Sequence, residues 1–346
     1  MISIIIPVRQ INSYIYESIT HFLELDYSDF EVIVYPDYIN DEDIVKKEFE
    51  LKLIKKFKNN LHEYQLHLDS RFRFIETGEI APGEKRDLAL LHAKDEYFAF
   101  IDDDAYPRSD WLISALKILE DETIGGVGGP AITAESEDIF TIAGGKVYES
   151  YLCSGGLTYR YVAGTRKDVD DIPSVNLIVK KDVFKKVGGF NSKYYPGEDT
   201  KLCLKIINLG KRMVYDPDTL VYHHRRPLYV KHLKQVQKYA LTRGIFVKKY
   251  PQTSLRFVYF VPSLFVMGLL FGPIVCMIIP SLWVLYCGVI LLYFLLALHS
   301  LKSCLNTKKN IIFNLELLVI SFFGILTTHI IYGIYFIKGL LKDVAE

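Results

Sequence analysis

The stretch YFAFIDDD at residues 97–104 runs from five apolar or aromatic residues into three consecutive aspartates. Such an apolar run predicts a buried β-strand, and the aspartates mark its end. Two similar runs, ISIIIPV at 2–8 and FEVIVY at 30–35, precede it, and helical patterns lie at 12–25 and 84–93. This alternation of strands and helices predicts an α/β fold around a mostly parallel sheet.

Three other regions complete the predicted architecture. The lysine-rich segment 41–68 is polar enough to predict a surface helix, and the glycine-rich segment 125–150 predicts a strand followed by long binding loops. A second ordered block follows, with a strand and a helix start in SVNLIVKKDVF at 174–184 and a helix ending at Gly210. Two short strands are expected on either side of the turn at Asp216.

The ends of the first strands are where a ligand is expected. In parallel sheets of this class, ligands bind beyond the carboxyl ends of the strands. Residues Pro7 to Gln10, Pro36 to Asp41 and Asp102 to Tyr106 follow the three predicted strands. We therefore expect these segments to converge on one crevice.

The three aspartates predict a cation site. Neighbouring carboxylates repel one another unless something positive is held among them, and oxygen ligands suit Mg²⁺ or Mn²⁺. Alternate residues of an extended backbone point to the same side, so Asp102 and Asp104 form the expected pair. The alternative is a solvated turn, or a cap for a helix that begins near Asp110.

A second acidic pair and two histidines occur later in the chain. Glu198 and Asp199 lie between a Pro–Gly turn and a predicted helix, where two acids equally suit a helix cap. His223 and His224 end a predicted strand, a position in which a single histidine is more often structural than a ligand. The ordered set of acids and histidines that starts near Asp37 is more specific than any one member.

In this order the motifs resemble those of the family 2 glycosyltransferases, enzymes of the GT-A fold that use nucleotide-activated sugars. The resemblance covers residues 2–225. SIIIPVR at 3–9 and EVIVYPD at 31–37 are similar to the family's first two strands, and FIDDDAYPRSDWL at 100–112 is similar to its DxD segment. The stretches VNLIVKKDVFKKVGGFN at 175–191 and GEDTKLCLKIINLGKRMVYDPDTLVYHH at 197–224 resemble the acceptor-side half of the family.

The resemblance implies roles for particular residues. Asp37 is expected to hold the base of the nucleotide, and Asp199 of the Glu198–Asp199 pair is expected to be the catalytic base. Asp102 and Asp104 are expected to hold the nucleotide and, through its diphosphate, Mn²⁺ or Mg²⁺. A single displacement by the acceptor would invert the anomeric centre.

The remaining site assignments come from the same resemblance. His223 or His224 is expected to complete the metal or diphosphate site, and the choice stays open. Lys85 and Arg86 in PGEKRD are placed to reach a nucleotide or phosphate, although a solvated helix start explains them nearly as well. The donor, expected to be a UDP-sugar, would meet Pro7, Arg9, Asp37, Lys85, Arg86, Asp102 and Asp103.

The C-terminal third of the chain predicts membrane insertion. No Asp, Glu, Lys or Arg occurs from Phe257 to Leu301, and Pro280 divides this stretch into spans 257–279 and 281–301. A third apolar run at 311–337 predicts another span, which gives a transmembrane region over 257–338. A buried helix of a large soluble protein is the alternative for each run.

A basic segment precedes the first span. From Arg225 to Lys249 there are eight Lys or Arg and no acidic residue, while Tyr229, Leu233, Val236 and Ala240 recur at helical spacing. We therefore expect an amphipathic interfacial segment over 226–256 that contacts anionic membrane lipids, with an ordinary solvated basic helix as the alternative.

Charge also predicts localisation. The 41 basic and 41 acidic residues balance, which argues against nucleic acid as a partner, and MISIIIPVR lacks the features of a signal peptide. Five scattered cysteines without CxxC spacing argue against disulfides and zinc. Lys and Arg before the first span and in the 302–309 loop predict a multi-pass cell-membrane protein with a cytoplasmic catalytic domain and an external C-terminus.

These features together predict a function. We expect a glycosyltransferase domain over residues 1–225 that moves a sugar to a lipid-linked or glycan acceptor in cell-surface glycan synthesis. The alternatives are a catalytically inactive membrane-anchored protein that binds a nucleotide sugar or acts as a scaffold, and a small transporter. Three spans with hardly any charge offer no evident polar pathway for transport.

Overall fold

The computed structural model describes residues 1–40, 49–57, 61–136 and 138–342. The chain forms two compact units, of which the first comprises Met1–Ile132 and Val162–His223, and the second Thr133–Tyr161 and His224–Glu346. Residues 133–161 group with the C-terminal segment, whereas the sequence-based division at residue 225 places them in the catalytic domain. The functional limits of that domain stay a prediction.

Thirteen strands are present in the described part of the chain. They are β1 (Ile2–Pro7), β2 (Phe30–Tyr35), β3 (Leu51–Lys56), β4 (His62–Leu66), β5 (Phe72–Ile75), β6 (Tyr97–Ile101), β7 (Ala105–Pro107), β8 (Ile124–Gly128), β9 (Ala131–Thr133), β10 (Lys167–Val169), β11 (Asn176–Lys180), β12 (Arg212–Tyr215) and β13 (Val221–His223).

Ten of these strands form one mixed sheet in the order β10-β12-β8-β11-β6-β1-β2-β5-β4-β3, and β7, β13 and β9 form a small second sheet. The expectation of a mostly parallel sheet is met at the centre, where β6, β1, β2 and β5 pair in parallel, and again between β8 and β12, but the other strand pairs of this sheet are antiparallel. On either side of this centre, β11 and β4 run antiparallel to their neighbours.

Burial of both sheet faces explains the apolar runs that predicted the central strands. Ile4 and Ile6 of β1 pack into one apolar cluster, and Ile5 between them packs into another. A strand covered on both faces has no polar side to alternate with, so its sequence is continuously apolar. The three strands predicted at 2–8, 30–35 and 97–101 are confirmed.

The surface helix expected over 41–68 is wrong for the described residues. Residues 51–56 and 62–66 form the antiparallel strands β3 and β4, while 41–48 and 58–60 lie outside the described residues. β3 is the last strand of the sheet, and five of its six residues are exposed. Because an exposed edge strand commonly carries lysines and buries no regular face, its sequence showed no strand periodicity.

The α-helices are α1 (Ser13–Leu23), α2 (Pro82–Asp87), α3 (Ala89–His92), α4 (Trp111–Leu119), α5 (Ile139–Glu149), α6 (Tyr151–Ser154), α7 (Lys181–Lys186), α8 (Glu198–Asn208), α9 (Val230–Lys249), α10 (Pro251–Ser254), α11 (Phe257–Ile278), α12 (Trp283–Ser300) and α13 (Ile311–Leu341). Short 3₁₀ helices occur at Gly155–Arg160, Pro280–Leu282 and Lys302–Asn306. The helices expected at 12–25 and 84–93 are confirmed as α1 and as α2 followed by α3.

The long loop expected after β8 is partly wrong, because α5 lies within it. Two glycines in the middle of α5 caused the error. A Cβ on Gly144 would lie 2.7 Å from the carbonyl oxygen of Arg226, and one on Gly145 would lie 2.4 Å from Thr133 Oγ1. These glycines allow close packing within the second unit and do not break the helix.

Three helical segments of the second unit are long and apolar enough to cross a membrane, as judged by length and composition. They are Phe257–Ile278, Pro280–Asn306 and Ile311–Leu341. The first two have mean hydropathies of 2.2 and 2.3 and bury 17% and 6% of their most apolar windows, whereas the third buries 33%. The first two therefore expose most of their apolar surface, as membrane-inserted helices do.

Candidate active site

The carboxyl ends of β1 and β2 lie next to each other. Pro7 pairs in register with Tyr35, and the Asp37 amide donates to the Arg9 carbonyl oxygen at 3.0 Å. β6 runs parallel to β1 on its other side and ends at Ile101. The segments expected to converge therefore follow neighbouring parallel strands, although Asp41 itself lies outside the described residues.

Lys85 of α2 connects the ends of β1 and β2. Its side chain is 2% exposed, and its Nζ donates to the Val8 and Tyr35 carbonyl oxygens at 2.6 and 3.2 Å. The same Nζ forms an ion pair with Asp37 Oδ1. Burial lowers the pKa of Lys85, and the Asp37 carboxylate opposes this shift. Lys85 therefore fixes Asp37 in place and does not extend into solvent.

Arg9 differs from Lys85 in exposure. Its side chain is 90% exposed, and its Nε lies 3.9 Å from Asp37 Oδ2. An ion pair this long and this exposed contributes little stability. Arg9 is thus a solvent-exposed cation beside the Asp37 carboxylate.

Arg86 connects the two acidic clusters of the first unit. Its side chain is 3% exposed, Nη2 donates to Asp102 Oδ1 at 2.6 Å, and Nη1 donates to Glu198 Oε1 at 3.2 Å. Asp102 follows β6, and Glu198 begins α8. The clusters that the sequence placed nearly a hundred residues apart therefore meet around one guanidinium.

Asp87, the next residue of α2, was missed by the sequence analysis. Its carboxylate accepts hydrogen bonds from the Phe190 and Asn191 amides at 2.7 and 2.9 Å. Burial raises the pKa of Asp87, and these amide hydrogen bonds oppose the shift. Three consecutive residues of α2 thus each contact different segments of the first unit. The charged run in PGEKRD was visible in the sequence, but no spacing indicated the partner of Asp87.

The extended backbone assumed for the three aspartates is wrong. The Ala105 amide donates to the Asp102 carbonyl oxygen at 3.2 Å, which closes a turn over these residues. Asp103 Oδ2 accepts from Asn12 Nδ2 at 2.8 Å. Burial, followed by the charge of Asp104, raises the pKa of Asp103 to about 6. The argument that pairs Asp102 with Asp104 by strand geometry therefore does not apply.

Asp104 and His223 form the pair that best fits a divalent ion. Asp104 Oδ1 lies 3.0 Å from His223 Nε2. Two adjacent ligands of an octahedral ion, each about 2.1 Å from the metal, are separated by about 3 Å. No group of three or more His, Cys, Asp or Glu within the described ranges is arranged to hold a metal. The chemistry present suits an ion that shares its remaining positions with phosphate and water. His224 belongs to the second unit.

Glu198 and Asp199 open α8 but differ in their surroundings. Gly197, which precedes them, has a φ of 114°, a conformation that favours glycine. Glu198 is buried, and its Oε2 has no hydrogen-bond partner in the described part of the chain. Burial and the negative charge of Asp199 raise the pKa of Glu198 to about 7, although Arg86 opposes this. Asp199 is half-buried, and one of its oxygens accepts from the Thr200 amide at 2.8 Å.

Comparison with protein families identifies the class of this fold and site. Residues 3–188 match the family described as glycosyl transferase family 2, and residues 97–301 match glycosyl transferase family group 2. The first match covers more than half of the chain. The chain belongs to glycosyltransferase family 2, which confirms the family and the GT-A fold expected from the sequence.

Two curated relatives are similar to part of the chain. The pre-mycofactocin glycosyltransferase of Mycobacterium tuberculosis is 30% identical over 145 residues, which cover 42% of this chain and 30% of the relative. The poly(ribitol-phosphate) β-N-acetylglucosaminyltransferase TarS of Staphylococcus aureus is 25% identical over 172 residues, which cover 43% of this chain and 28% of the relative. The chain thus spans less than a third of the length of these relatives.

Two solved structures are also similar. The mannosyltransferase PcManGT from Pyrobaculum calidifontis, solved with GDP-Man and Mn²⁺, is 19% identical with a TM-score of 0.48, and the match covers 69% of this chain and 61% of that one. Residues 1–349 of S. aureus TarS are 16% identical with a TM-score of 0.43, and the match covers 74% and 66% of the two chains.

Proposed function

We propose that this glycosyltransferase carries out metal-assisted, inverting transfer of a sugar from a nucleotide sugar, expected to be a UDP-sugar, to a lipid-linked acceptor at a membrane surface. The observation that carries the proposal is the bridge from Arg86 to Asp102 and Glu198. Because of this bridge, the acids after β6 and the acids at the start of α8 surround one point of the first unit. Donor and acceptor chemistry can therefore occur side by side.

The donor side of the proposal rests on Asp37 and Arg9. A carboxylate only accepts hydrogen bonds, so Asp37, held by Lys85, suits the N–H groups of a nucleobase. The exposed Arg9 next to it can move to a phosphate oxygen without breaking a buried contact. Pro7 ends β1 at this point, and Asp103 is oriented by Asn12.

Asp104 and His223 are the residues that we assign to the divalent ion. When bound, Mn²⁺ or Mg²⁺ would neutralise negative charge on the diphosphate leaving group. The role of Asp102 in this proposal is positional, because its Oδ1 is bonded to Arg86 and holds the turn that carries Asp104. This assignment selects His223 over His224 because His223 lies 3.0 Å from the Asp104 carboxylate.

Asp199 is the proposed catalytic base. Its carboxylate would take the proton from an acceptor hydroxyl while that oxygen attacks the anomeric carbon on the face opposite the diphosphate. The electron pair of the breaking sugar–phosphate bond leaves with the diphosphate, so one displacement inverts the centre. Glu198 is less suited to this role because it is buried and bonded to Arg86. We therefore assign Glu198 a positioning role.

Features of this chain, and not the names of its relatives, indicate the class of acceptor. The names of the two relatives indicate different acceptors, pre-mycofactocin and poly(ribitol-phosphate). The apolar helices of the second unit and the basic helix α9 before them favour an acceptor that is itself held in a lipid bilayer. A polyprenyl phosphate or a growing glycolipid has this property.

The proposal is tested with the full chain in lipid nanodiscs. A thermal-shift screen of nucleotide sugars, each with and without Mn²⁺, should find a donor whose stabilising effect requires the metal. That donor should then be transferred to a polyprenyl phosphate faster than to soluble sugars, with inversion detected by NMR. Binding without turnover would support the inactive alternative, and efficient transfer to soluble sugars in the absence of lipid would overturn the lipid-linked acceptor.

A further inference from the structure

Helices α9 and α13 of the second unit run side by side in the same direction. The Tyr229 hydroxyl donates to the Ile320 carbonyl oxygen at 3.1 Å, and Lys248 Nζ donates to that of Lys342 at 2.6 Å. Between these contacts, His232 Nε2 lies 3.0 Å from Thr328 Oγ1. The paired residues are 91, 94 and 96 positions apart in sequence. Because the sequence separation of the paired residues is nearly constant, the two helices stay side by side over the whole length of α9.

The two helices approach closely through glycines. A Cβ on Gly244 would lie 2.4 Å from the Phe336 carbonyl oxygen, and a Cβ on Gly339 would lie 2.2 Å from that of Leu241. Only glycine lets the two backbones meet at these points. The contact is therefore a packed helix interface, and α9 is not a free helix beside a span.

The first half of α13 is covered by α5 and α6 in the same unit. A Cβ on Gly324 would lie 2.9 Å from Val147 Cγ2 of α5, and His329 Nε2 lies 3.1 Å from the Leu152 carbonyl oxygen of α6. α5 also carries the Lys146–Glu149 ion pair at 2.7 Å. Of the two helices that contact α13 here, α5 carries this charged pair and α6 carries no charged residue.

The burial of α13 follows one continuous face. Its buried residues recur every three or four positions and are Asn314, Leu317, Ser321, Gly324, Ile325, Thr328, His329, Gly333, Phe336 and Gly339. The opposite face exposes the apolar residues Ile312, Leu315, Val319, Phe323 and Ile334, with the exposed charged residues Glu316 and Lys338 towards its two ends. A helix surrounded by lipid would expose apolar side chains all round, whereas α13 exposes a stripe.

These contacts conflict with a membrane crossing by α13. The side of α9 away from the contact carries exposed Lys231, Lys234 and Lys238, and lysines in the middle of a hydrocarbon core are strongly unfavourable. The part of α13 beside α9 begins near Ile320, so only residues 311–319 precede it. At about 1.5 Å per residue, these are too few for a core of about 30 Å.

We propose that α13 lies along the membrane surface, with its exposed stripe against lipid acyl chains, and that only the hairpin of α11 and α12 enters the hydrocarbon. The hairpin leaves from this layer, because the Ser263 hydroxyl of α11 donates to the Gly333 carbonyl oxygen at 3.0 Å. It returns the chain to the side from which it entered. Lys342 is therefore on the same side of the membrane as α9, in contrast to the external C-terminus expected from charge and hydropathy.

Cysteine labelling with a membrane-impermeant maleimide tests this arrangement independently of transfer activity. In a background with the five native cysteines replaced, the full chain would carry a single cysteine as Lys234→Cys on α9 or Lys342→Cys at the end of α13. Both positions are exposed. In sealed membrane vesicles of known orientation, we expect both to react from the same side. Reaction of the two positions from opposite sides would overturn the proposal.

A second measurement covers the case in which Lys342→Cys reacts from neither side. Fusion of green fluorescent protein or alkaline phosphatase to the C-terminus of the full chain gives a signal from one reporter or the other, because each is active on only one side of a bacterial inner membrane. The same fusions to the N-terminus provide the reference. Matching reporters at both ends support the proposal, and opposite reporters contradict it.

Discussion

The two acidic clusters of the first unit, Asp102–Asp104 after β6 and Glu198–Asp199 at the start of α8, share one plan but differ in burial. In each cluster the first acid is bonded to Arg86 and a later acid is left for other partners. The side chain of Asp102 is 33% exposed, whereas that of Glu198 is 5% exposed. One buried guanidinium therefore serves a carboxylate that water also reaches and a carboxylate that water does not.

This difference in burial shows which of the two carboxylates is destabilised in its charged form when both share one cation. The guanidinium supplies one positive charge to two carboxylates, so one negative charge remains uncompensated. Water stabilises a charge on Asp102, but it does not reach Glu198, whose pKa rises to about 7 because of burial. In our proposal the acid that comes first in each cluster is therefore structural, and the chemical roles are assigned to Asp104 and Asp199.

Replacing Arg86, the cation that both clusters share, should have the largest effect of the changes considered, and that effect is on stability. Arg86→Met leaves the buried Glu198 without its partner, so we expect a loss of about 3–5 kcal/mol in the free energy of unfolding, as for other broken buried ion pairs. The melting temperature of the full chain in detergent measures this. Arg9→Met, which removes an exposed arginine, is the matched control and should change little. Equal melting temperatures for the two variants would mean that the bridge does not support the fold.

The variant Asp199→Asn tests whether Asp199 is the catalytic base or only a cap of α8. We expect this variant to fold and bind the donor normally but to lose at least about a hundredfold in transfer rate, the low end of general-base effects. Asp182→Asn on α7, an exposed residue paired with Lys186, serves as the control. Transfer near the wild-type rate would show that Asp199 only caps α8.

A smaller effect, which tests the assignment of the first cluster more specifically, is expected from replacing His223 or His224. His223→Ala should weaken Mn²⁺-dependent nucleotide binding by about tenfold, comparable to one lost charge-assisted contact. His224→Ala should leave it within about twofold, because only His223 faces Asp104 in our assignment. Isothermal calorimetry with UDP and Mn²⁺ measures both affinities. A larger effect at His224 would reverse the assignment.

The smallest expected effect is on pH dependence. A carboxyl whose folded-state pKa is raised stabilises the fold fully below its unfolded pKa and loses that contribution as pH rises to the folded pKa. For Glu198 the window runs from about 4.5 to about 7. Glu198→Gln should therefore remove a decrease in melting temperature that wild type shows across this range. Parallel pH curves for the two proteins would contradict the raised pKa.

The sequence predicted the parts of the fold that are buried on a regular face. β1, β2 and β6 were visible because both sheet faces cover them, and α8 was visible because Leu202 and Ile206 repeat at helical spacing. β3 was missed because an edge strand buries almost nothing. α5 was missed because its glycines serve tertiary contacts, which local propensity does not encode.

The site was predictable as a set of residue types but not as a set of contacts. The order of acids and histidines selected Asp102, Asp104 and Asp199 as candidates before any geometry was known, and their roles stay predictions. The sequence did not show that Arg86 joins two clusters nearly a hundred residues apart or that Asp87 holds the loop at Phe190. Such contacts depend on how the sheet brings distant segments together, and no short-range pattern records them.

The three consecutive contacts of α2 have a consequence for changes in chain length. Successive residues of a helix project about 100° apart, so Lys85, Arg86 and Asp87 reach different segments in three directions. A substitution at one position removes only the contacts of that residue. A one-residue insertion before Lys85 would instead turn all three side chains away from their partners together. Length changes between β5 and α2 should therefore be tolerated only where the loop absorbs them without rotating the helix.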